Sequence, residues 1–477
     1  MLKIFNTLTR KKEVFKPLHK DKIGIYSCGP TVYWNQHIGH MYAYVQWDCL
    51  VRTLKYLGNK VEWVMNITDV GHLISDEDTG EDKMEKGAKR ENLSVWEIAD
   101  KYINQFKESM ETLNIQKPDI LCRATEHINE QINLIKKIEK NGFTYKTSTG
   151  LIFNTSKFKN YAKFAKLNLE KQEAGARVNV DPEKKRPWDF LLWITNQPQH
   201  IMQWNSPWGS GFPGWHIECT AMSVKYLGEK FDIHTGGKEH IPVHHTNEIA
   251  QAFGAFNHQT ANYWMHNEWL MFDGKKISKS LGNSILVSDL KRKGYDPLSL
   301  RYLILTSHYR QGLNFTWESL KAAETAYKSL KYRLTLLKKS VRKKNKEIIS
   351  KSDMGKKNIT DFNKKFETAI SDDLNMPMAL ASIHEFIYEL NLLKNKNQLY
   401  PKTAKSAYKE ILKADEVLGL ELKEIPEIPA KIMNLAEKRE LLRKNKQFIQ
   451  SDGLRKEIEK LGYIIEDTPE GPVILHK

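Results

Sequence analysis

The segments KIGIYSCGPTVYWNQHIGH (22–40) and VEWVMNIT (61–68) together predict the first layer of the fold. Residues 22–28 read as a short strand of alternating isoleucines that is closed by Gly-Pro. A helical pattern of apolar residues runs over about 37–57 and ends at Gly58. Since the second segment reads as another strand, the unit is β-α-β. Such a unit predicts a parallel sheet with a right-handed crossover and with ligands at the carboxyl ends of its strands.

The same alternation of helix and strand returns near 215–275. There the sequence predicts a helix through HIECTAMSVKYL, a strand at FDIH, a helix at HTNEIAQAF and a strand at NYWMHNEW. Between the two halves, about 100–210 is helical at first and then irregular, with many aromatic residues, prolines and glycines. We therefore predict that 100–210 is an insertion between two halves of one sheet. Beyond about 315 the chain becomes helical and basic, and 338–362 has little apolar content.

Composition narrows the class of protein. A chain of 477 residues predicts two to four structural units, and 40% hydrophobic with 28% charged residues is normal for a globular protein. No apolar run is long enough for a membrane span, no secretory signal is recognisable, and four scattered cysteines fit a reducing cytosol. We predict a cytoplasmic protein without a membrane partner. The net charge of +16 favours binding to nucleic acid, but a generally Lys-rich composition explains it equally well.

The motif HIGH (37–40) lies beyond the first strand. His37 and His40 are three residues apart, so on a helix they project from one face. Gly39 lets a flat base approach the backbone, and a helix N-terminus favours phosphate. Imidazoles placed there can hydrogen-bond a triphosphate while its α-phosphorus is attacked. Taken alone, histidines at this spacing are as readily explained as helix caps or surface residues.

The motif KISKS (276–280) follows the last strand of the second half. Its two lysines, Lys276 and Lys279, flank small and hydroxyl residues, an arrangement suited to the β- and γ-phosphates of ATP. A solvated basic loop is the alternative for any Lys-rich pentapeptide. The order of the two motifs on the predicted sheet is what favours a shared ATP site.

Four further residues have the side chains of a zinc site: Cys28, Cys219, His244 and Glu248. Two thiolates, an imidazole and a carboxylate can supply four protein ligands to zinc. The spacing is not that of a compact zinc knuckle, and two buried thiols beside a surface His/Glu pair would give the same sequence. Cys28 precedes the HIGH motif closely, however, so a metal held there would face the predicted ATP pocket. Cys49 and Cys122 are more simply explained as packed thiols.

Together these motifs resemble those of the cysteinyl-tRNA synthetase family, in that family's order. The segments that carry the resemblance are YSCGPTVYWNQHIGH, NITDV, RATEHI, GWHIECTAM, FDIHTGG, PVHHTNEIAQ and KISKSLGN over 26–283, followed by FETAISDDLNMPMALA and DTPEGP. The resemblance implies an α/β fold: a Rossmann-like parallel-sheet catalytic domain with an inserted connective region, followed by a C-terminal helical-bundle domain. We predict the catalytic domain over 1–315, a helical stem and basic linker over 316–362, and a helical anticodon-binding region with a small terminal unit over 363–477.

The resemblance also implies a reaction and its participants. The protein would join L-cysteine to tRNA(Cys) through a cysteinyl-adenylate, using ATP with Mg²⁺, and would act as a monomer with one zinc ion per chain. Zinc would be held by Cys28, Cys219, His244 and Glu248. The residues that would handle ATP are His37, Gly39, His40, Lys276 and Lys279, while those around the aminoacyl group would be Thr68, Trp215 and His234.

Some positions depart from the family pattern. Extra residues follow Asp69, Trp34 stands where aspartate is usual, Glu239 replaces an aspartate, and Thr246 replaces a glutamate between the predicted ligands. Three alternatives remain open. They are a ligase that joins cysteine to a small amine such as an amino sugar, a methionyl-tRNA synthetase, and an RNA-binding regulator without activity.

Overall fold

The structure is a computed structural model, and it describes residues 1–71, 82–167, 182–277, 282–340, 354–396, 398–423, 428–468 and 471–476. In chain order its strands are β1 (Lys3–Asn6), β2 (Lys11–Val14), β3 (Ile23–Ser27), β4 (Val61–Ile67), β5 (Ile120–Arg123), β6 (Thr144–Thr147), β7 (Gly150–Phe153), β8 (Phe190–Thr195), β9 (Gly211–Pro213), β10 (Phe231–Gly237), β11 (Ala261–Asn267), β12 (Leu270–Phe272), β13 (Lys275–Lys276), β14 (Leu313–Phe315), β15 (Tyr463–Thr468) and β16 (Gly471–His476).

The helices separate these strands and then dominate the C-terminal third. They are α1 (Ile38–Tyr56), α2 (Lys83–Glu91), α3 (Val95–Thr112), α4 (Ile128–Lys140), α5 (Trp215–Leu227), α6 (His244–Phe256), α7 (Val287–Arg292), α8 (Leu298–Leu305), α9 (Trp317–Ser340), α10 (Met354–Ser371), α11 (Met376–Asn395), α12 (Pro401–Leu418), α13 (Ala430–Lys444) and α14 (Phe448–Lys460). Within the parts of the chain that the structure covers, no helix has both the length and the apolar composition of a membrane span.

A five-stranded parallel sheet forms the centre of the molecule, in the order β11-β10-β3-β4-β5. The chain leaves β3 toward β4 and β5 on one side and returns to β10 and β11 on the other. The strand order therefore reverses between β3 and β10, which is where open α/β sheets bind their ligands, at the carboxyl ends of the strands. The predicted parallel α/β fold is confirmed.

The boundary of the predicted insertion needs a correction. Residues 120–123, inside the range 100–210, form β5 and pair with β4 as the edge of the central sheet. A separate antiparallel sheet, β6-β7-β8-β9, begins only at Thr144. The segment ILCR does not stand out in the sequence because four residues are too few to show the alternation that identifies a strand.

The first three C-terminal helices pack against the sheet domain. Apolar residues of α10, α11 and α12 belong to the same buried cluster as Ile23 and Ile25 of the sheet. Buried Arg301 reinforces this contact, because it donates to the carbonyl of Leu418 at the end of α12 and pairs with Asp48 of α1. In contrast, α13, α14 and the β15–β16 hairpin enclose a small apolar cluster of their own, with Ile432 and Ile458 at its centre.

Candidate active site

A cavity of about 570 Å³ opens at the reversal point of the central sheet. Cys28, just after β3, and Gly237, at the end of β10, contribute to its wall. His37, Gly39 and His40 line it from the start of α1. The sheet topology thus brings the HIGH motif and one predicted metal ligand to a single cavity.

The four predicted metal ligands converge beside this cavity. One donor atom each from Cys28, Cys219, His244 and Glu248 lies within 4.8 Å of the others. The residues come from the end of β3, from α5 and from two successive turns of α6, and each is at most 8% exposed. Because His244 and Glu248 are four residues apart on α6, they face the same side of the helix.

Burial and mutual contacts set the protonation of these donors. A hydrogen bond from the Cys28 thiol lowers the pKa of Cys219 to about 7, whereas burial raises the pKa of Cys28. Burial would lower the pKa of His244, but Cys219 and Glu248 raise it to about 10. Burial also opposes ionisation of Glu248, yet His234 and His244 lower its pKa to about 2. Cys219 and Glu248 are therefore the members most readily found in the anionic form that a metal requires.

The donor set fits a zinc ion. Cysteine sulfur, histidine nitrogen and carboxylate oxygen are the ligands that zinc takes in proteins, usually four of them. Oε1 of Glu248 is buried and has no hydrogen bond of good geometry among the described residues, although Nε2 of His244 lies 3.1 Å away. A buried carboxylate oxygen without such a hydrogen bond destabilises the folded protein unless a cation or a hydrogen-bond donor binds it.

A second, overlapping group joins Cys28 and Glu248 to His234 and His245. The sulfur of Cys28 lies 3.2 Å from Nε2 of His245, and Nε2 of His234 lies 2.9 Å from Oε2 of Glu248. His245 continues into a buried chain of hydrogen bonds to His266, at 2.7 Å. His245 is not among the residues predicted from the sequence; the signal that points to it is the adjacent His-His pair at the start of a helix beyond a strand end.

The HIGH motif forms the N-terminal cap of α1. Nδ1 of His37 accepts a hydrogen bond from the Gly39 amide at 3.1 Å, and Nδ1 of His40 accepts from the His37 amide at 3.2 Å. The two rings are stacked with centroids 3.6 Å apart. A Cβ on Gly39 would lie 2.9 Å from the His37 ring, so glycine is needed for the cap itself. The histidines can therefore cap the helix through Nδ1 and still contact ATP through their other ring nitrogen.

Only part of the KISKS motif lies in the described residues. Residues 278–281, which include Lys279, are outside them. Lys276 is exposed at the end of β13, and its Nζ lies 4.8 Å from the ring centroid of Trp269, a residue that lines the cavity.

The segments on either side of 278–281 contact the HIGH motif directly. The amide of Ile38 donates to the carbonyl of Ile285 at 2.8 Å, and His37 forms a β-bridge with Leu286. Ile277 is buried next to Gly39. The HIGH and KISKS motifs are far apart in sequence, at 37–40 and 276–280. The fold brings their segments together at one edge of the cavity.

The structure places the predicted aminoacyl-group residues at different distances from the donors. The His234 ring contacts Glu248, and Trp215 lies against His244 with ring centroids 4.6 Å apart. Thr68 is buried and pairs with Thr31, so it supports the wall of the cavity that runs from Pro30.

Three of the departures from the family pattern have local partners, whereas most of the extra residues after Asp69 lie outside the described part of the chain. The guanidinium of Arg90 lies over the Trp34 ring, 3.6 Å from its centroid. The hydroxyl of Thr246 donates to the carbonyl of Ile241 at 2.7 Å, within the turn before its own helix. Oε2 of Glu239 accepts a hydrogen bond from Nε1 of Trp269 at 2.8 Å.

Comparison with known proteins agrees with this geometry. Residues 14–325 match the family described as "tRNA synthetases class I (C) catalytic domain", and residues 365–423 match the DALR domain. Proteins named cysteine–tRNA ligase from Treponema denticola and Thermus thermophilus are 43% and 41% identical to the chain. These matches cover 98% and 99% of the chain, respectively, and 98% of each relative. A structure of Mycobacterium tuberculosis methionyl-tRNA synthetase with methionyl-adenylate has a TM-score of 0.60 at 15% identity, covering 84% of this chain and 90% of that one, which shows a shared fold.

The parallel sheet, the joined HIGH and KISKS segments and the matched catalytic domain define a class I aminoacyl-tRNA synthetase. Within that class, about two residues in five are identical to those of proteins named cysteine–tRNA ligase over nearly the full length of both chains, and this similarity identifies the family. The chain belongs to the cysteine–tRNA ligase family, and the resemblance drawn from its motifs is confirmed.

Proposed function

We propose that the protein activates L-cysteine with Mg²⁺-ATP as cysteinyl-adenylate and then transfers the cysteinyl group to tRNA(Cys). The observation that carries this proposal is the convergence of Cys28, Cys219, His244 and Glu248 beside a cavity whose rim carries the HIGH motif. In the first step a carboxylate oxygen of cysteine attacks the α-phosphorus, and the bond to pyrophosphate breaks. In the second step a terminal ribose hydroxyl attacks the carbonyl carbon and AMP leaves.

Cys28, Cys219, His244 and Glu248 are the residues that would hold zinc. Zinc supplies, when bound, a Lewis acid with affinity for the substrate thiolate. The fixed positions of these four side chains at the end of β3 and on α5 and α6 would hold the substrate side chain at one end of the cavity. With the side chain held there, the carboxylate of the cysteine substrate would face the HIGH motif at the other edge of the cavity, which is the orientation that in-line attack needs.

His37 and His40 supply neutral hydrogen-bond donors at the other end. Because Nδ1 of each ring accepts a backbone amide hydrogen bond, each neutral ring carries its proton on Nε2. Two Nε2–H groups can thus stabilise negative charge that develops on the phosphate oxygens. Lys276 and Lys279 would offset the charge of the leaving pyrophosphate. Because Gly39 has no side chain, the nucleotide can approach the backbone at the start of the helix.

The matched DALR domain and the full-length similarity support a tRNA acceptor rather than a small amine, because a small-molecule ligase has no use for the C-terminal region. The same similarity supports cysteine over methionine and activity over a purely regulatory role. We accordingly retain a single proposed function.

Amino-acid-dependent ATP–pyrophosphate exchange tests this proposal. We expect exchange with cysteine, and exchange with serine slower by about 10³-fold, equivalent to ~4 kcal/mol. The physical reason is that a thiol has a pKa of about 8.5 and ionises readily, whereas an alcohol does not. A parallel assay with tRNA(Cys) should give charged product. Comparable exchange with serine, or rapid formation and hydrolysis of seryl-adenylate, would contradict the proposal.

A further inference from the structure

The indole of Trp269 lies at the mouth of the cavity, between two lysines and a carboxylate. Nζ of Lys238 is 3.8 Å from its ring centroid and Nζ of Lys276 is 4.8 Å from it. Its Nε1–H donates to Oε2 of Glu239 at 2.8 Å. Lys238 is itself ion-paired with Glu268. Of the two lysines, therefore, Lys276 is the one without an ion pair to a carboxylate in the described part of the chain.

The strand register explains why Trp269 and Lys276 meet. In the β12–β13 hairpin, Lys276 is paired with Met271, and Trp269 lies two residues before Met271. Trp269 directly precedes β12, so it lies at the end of the hairpin that carries Lys276. The pairing of β12 with β13 therefore brings the ammonium group of Lys276 close to the indole.

The backbone and the indole of Trp269 are each held by a hydrogen bond. The backbone carbonyl of Trp269 accepts a hydrogen bond from the Leu313 amide at 3.2 Å. The Glu239 carboxylate that binds Nε1 folds back over Gly237, where a Cβ would lie 2.4 Å from its oxygens. A side chain at position 237 would displace this carboxylate. The longer arm of glutamate, in place of the aspartate that the family pattern favours, reaches the indole at this position.

We infer that Trp269, fixed by Glu239, is a positioning residue that holds the Lys276 ammonium group at the edge of the nucleotide cavity. A lysine side chain is flexible, and a cation over an indole face is restrained without being neutralised. The ammonium group is thus kept close to where phosphate charge develops and keeps its charge for that purpose. The inference rests on the proposed activation of cysteine by ATP.

A double-mutant cycle tests this inference in the full-length protein. The variants are Trp269→Leu, Lys276→Ala and the double variant, and kcat and KM for ATP and cysteine are measured in cysteine-dependent pyrophosphate exchange. Trp269→Leu is expected to lower kcat by about threefold to tenfold, with the KM for cysteine unchanged. In the Lys276→Ala background the same substitution is expected to have no further effect, since residues that act through one another are not additive. Trp269→Phe, which keeps an aromatic face but cannot donate to Glu239, should give a kcat between those of the wild type and Trp269→Leu.

Controls and contrary outcomes keep the test decisive. Phe256→Leu removes a lysine–aromatic pair of similar length, with Nζ of Lys137 4.9 Å from the ring, and should leave kcat unchanged. If Trp269→Leu does not fold, Glu239→Ala takes its place in the cycle. An equal loss in both backgrounds would overturn the inference, because Trp269 would then act without Lys276, and so would an unimpaired Lys276→Ala. A wild-type protein without cysteine-dependent exchange would instead refute the proposed function.

Discussion

Replacing Cys219 with alanine is expected to remove bound zinc and to lower cysteine-dependent pyrophosphate exchange by about three orders of magnitude, a loss of ~4 kcal/mol in transition-state stabilisation. Cys219 is buried within 4.8 Å of the other three donors, and its contacts lower its pKa to about 7. It is therefore the thiol of the set that deprotonates most readily. Metal content by elemental mass spectrometry and exchange rates are the measurements.

Cys49→Ala is the matched control for that substitution. Cys49 is also a buried free thiol, but it lies on α1 and outside both donor groups. The control variant should keep its zinc and its exchange activity, at the cost of some stability from the small cavity. Thermal melting of both variants separates loss of metal from loss of fold. Cys219→Ala protein that is folded, free of metal and fully active would refute the assigned role.

Ending the chain after Lys423 is expected to leave pyrophosphate exchange nearly intact and to lower the efficiency of tRNA charging by about 100-fold, mainly through weaker tRNA binding. The removed part, which holds α13, α14 and the β15–β16 hairpin, has an apolar cluster separate from that of the sheet domain. The change in composition over 338–362 suggests an earlier cut, near Leu336. That cut would remove α10–α12, whose apolar residues belong to the main core.

Two features of the charging assay make the comparison specific. Binding of the full-length chain should weaken steeply with salt, because lysine and arginine contacts to phosphate release counterions. Anticodon base changes should harm the full-length protein much more than the shortened one, since base-edge contacts carry identity. A folded, shortened protein that charges tRNA as well as the full chain, with the same dependence on the anticodon, would show that the terminal unit does not read the anticodon.

The elements that sequence predicted well are those with a strong local signal. Strand β3 has alternating isoleucines, and α1 ends before Gly58, whose φ of 87° favours glycine. The KISKS segment was placed beside HIGH because both follow strand ends, and the bridge between His37 and Leu286 agrees with that placement. By contrast, β5 is four residues long, and its position in the sheet depends on pairing with β4.

The parts of the site that sequence did not reveal depend on contacts between distant segments. His245 joins the donor cluster because α6 brings it 3.2 Å from the sulfur of Cys28. The hydrogen bond from Trp269 to Glu239 crosses from one strand end to another. The two residues of each pair are far apart in sequence, so the contact between them does not follow from a local pattern, even where one member, His245, lies in a recognisable motif. In both cases the central sheet brings the two segments together, and the side chains can form their contact only because of this arrangement.

Metal-depleted protein, titrated with zinc while cysteine-dependent pyrophosphate exchange is followed, tests the central claim most directly. We expect exchange to be absent without metal, to rise in proportion to added zinc and to reach its maximum at one zinc ion per chain. The reason is that Cys28, Cys219, His244 and Glu248 converge as one four-ligand set beside the cavity. Full cysteine activation by demonstrably metal-free protein would contradict the account.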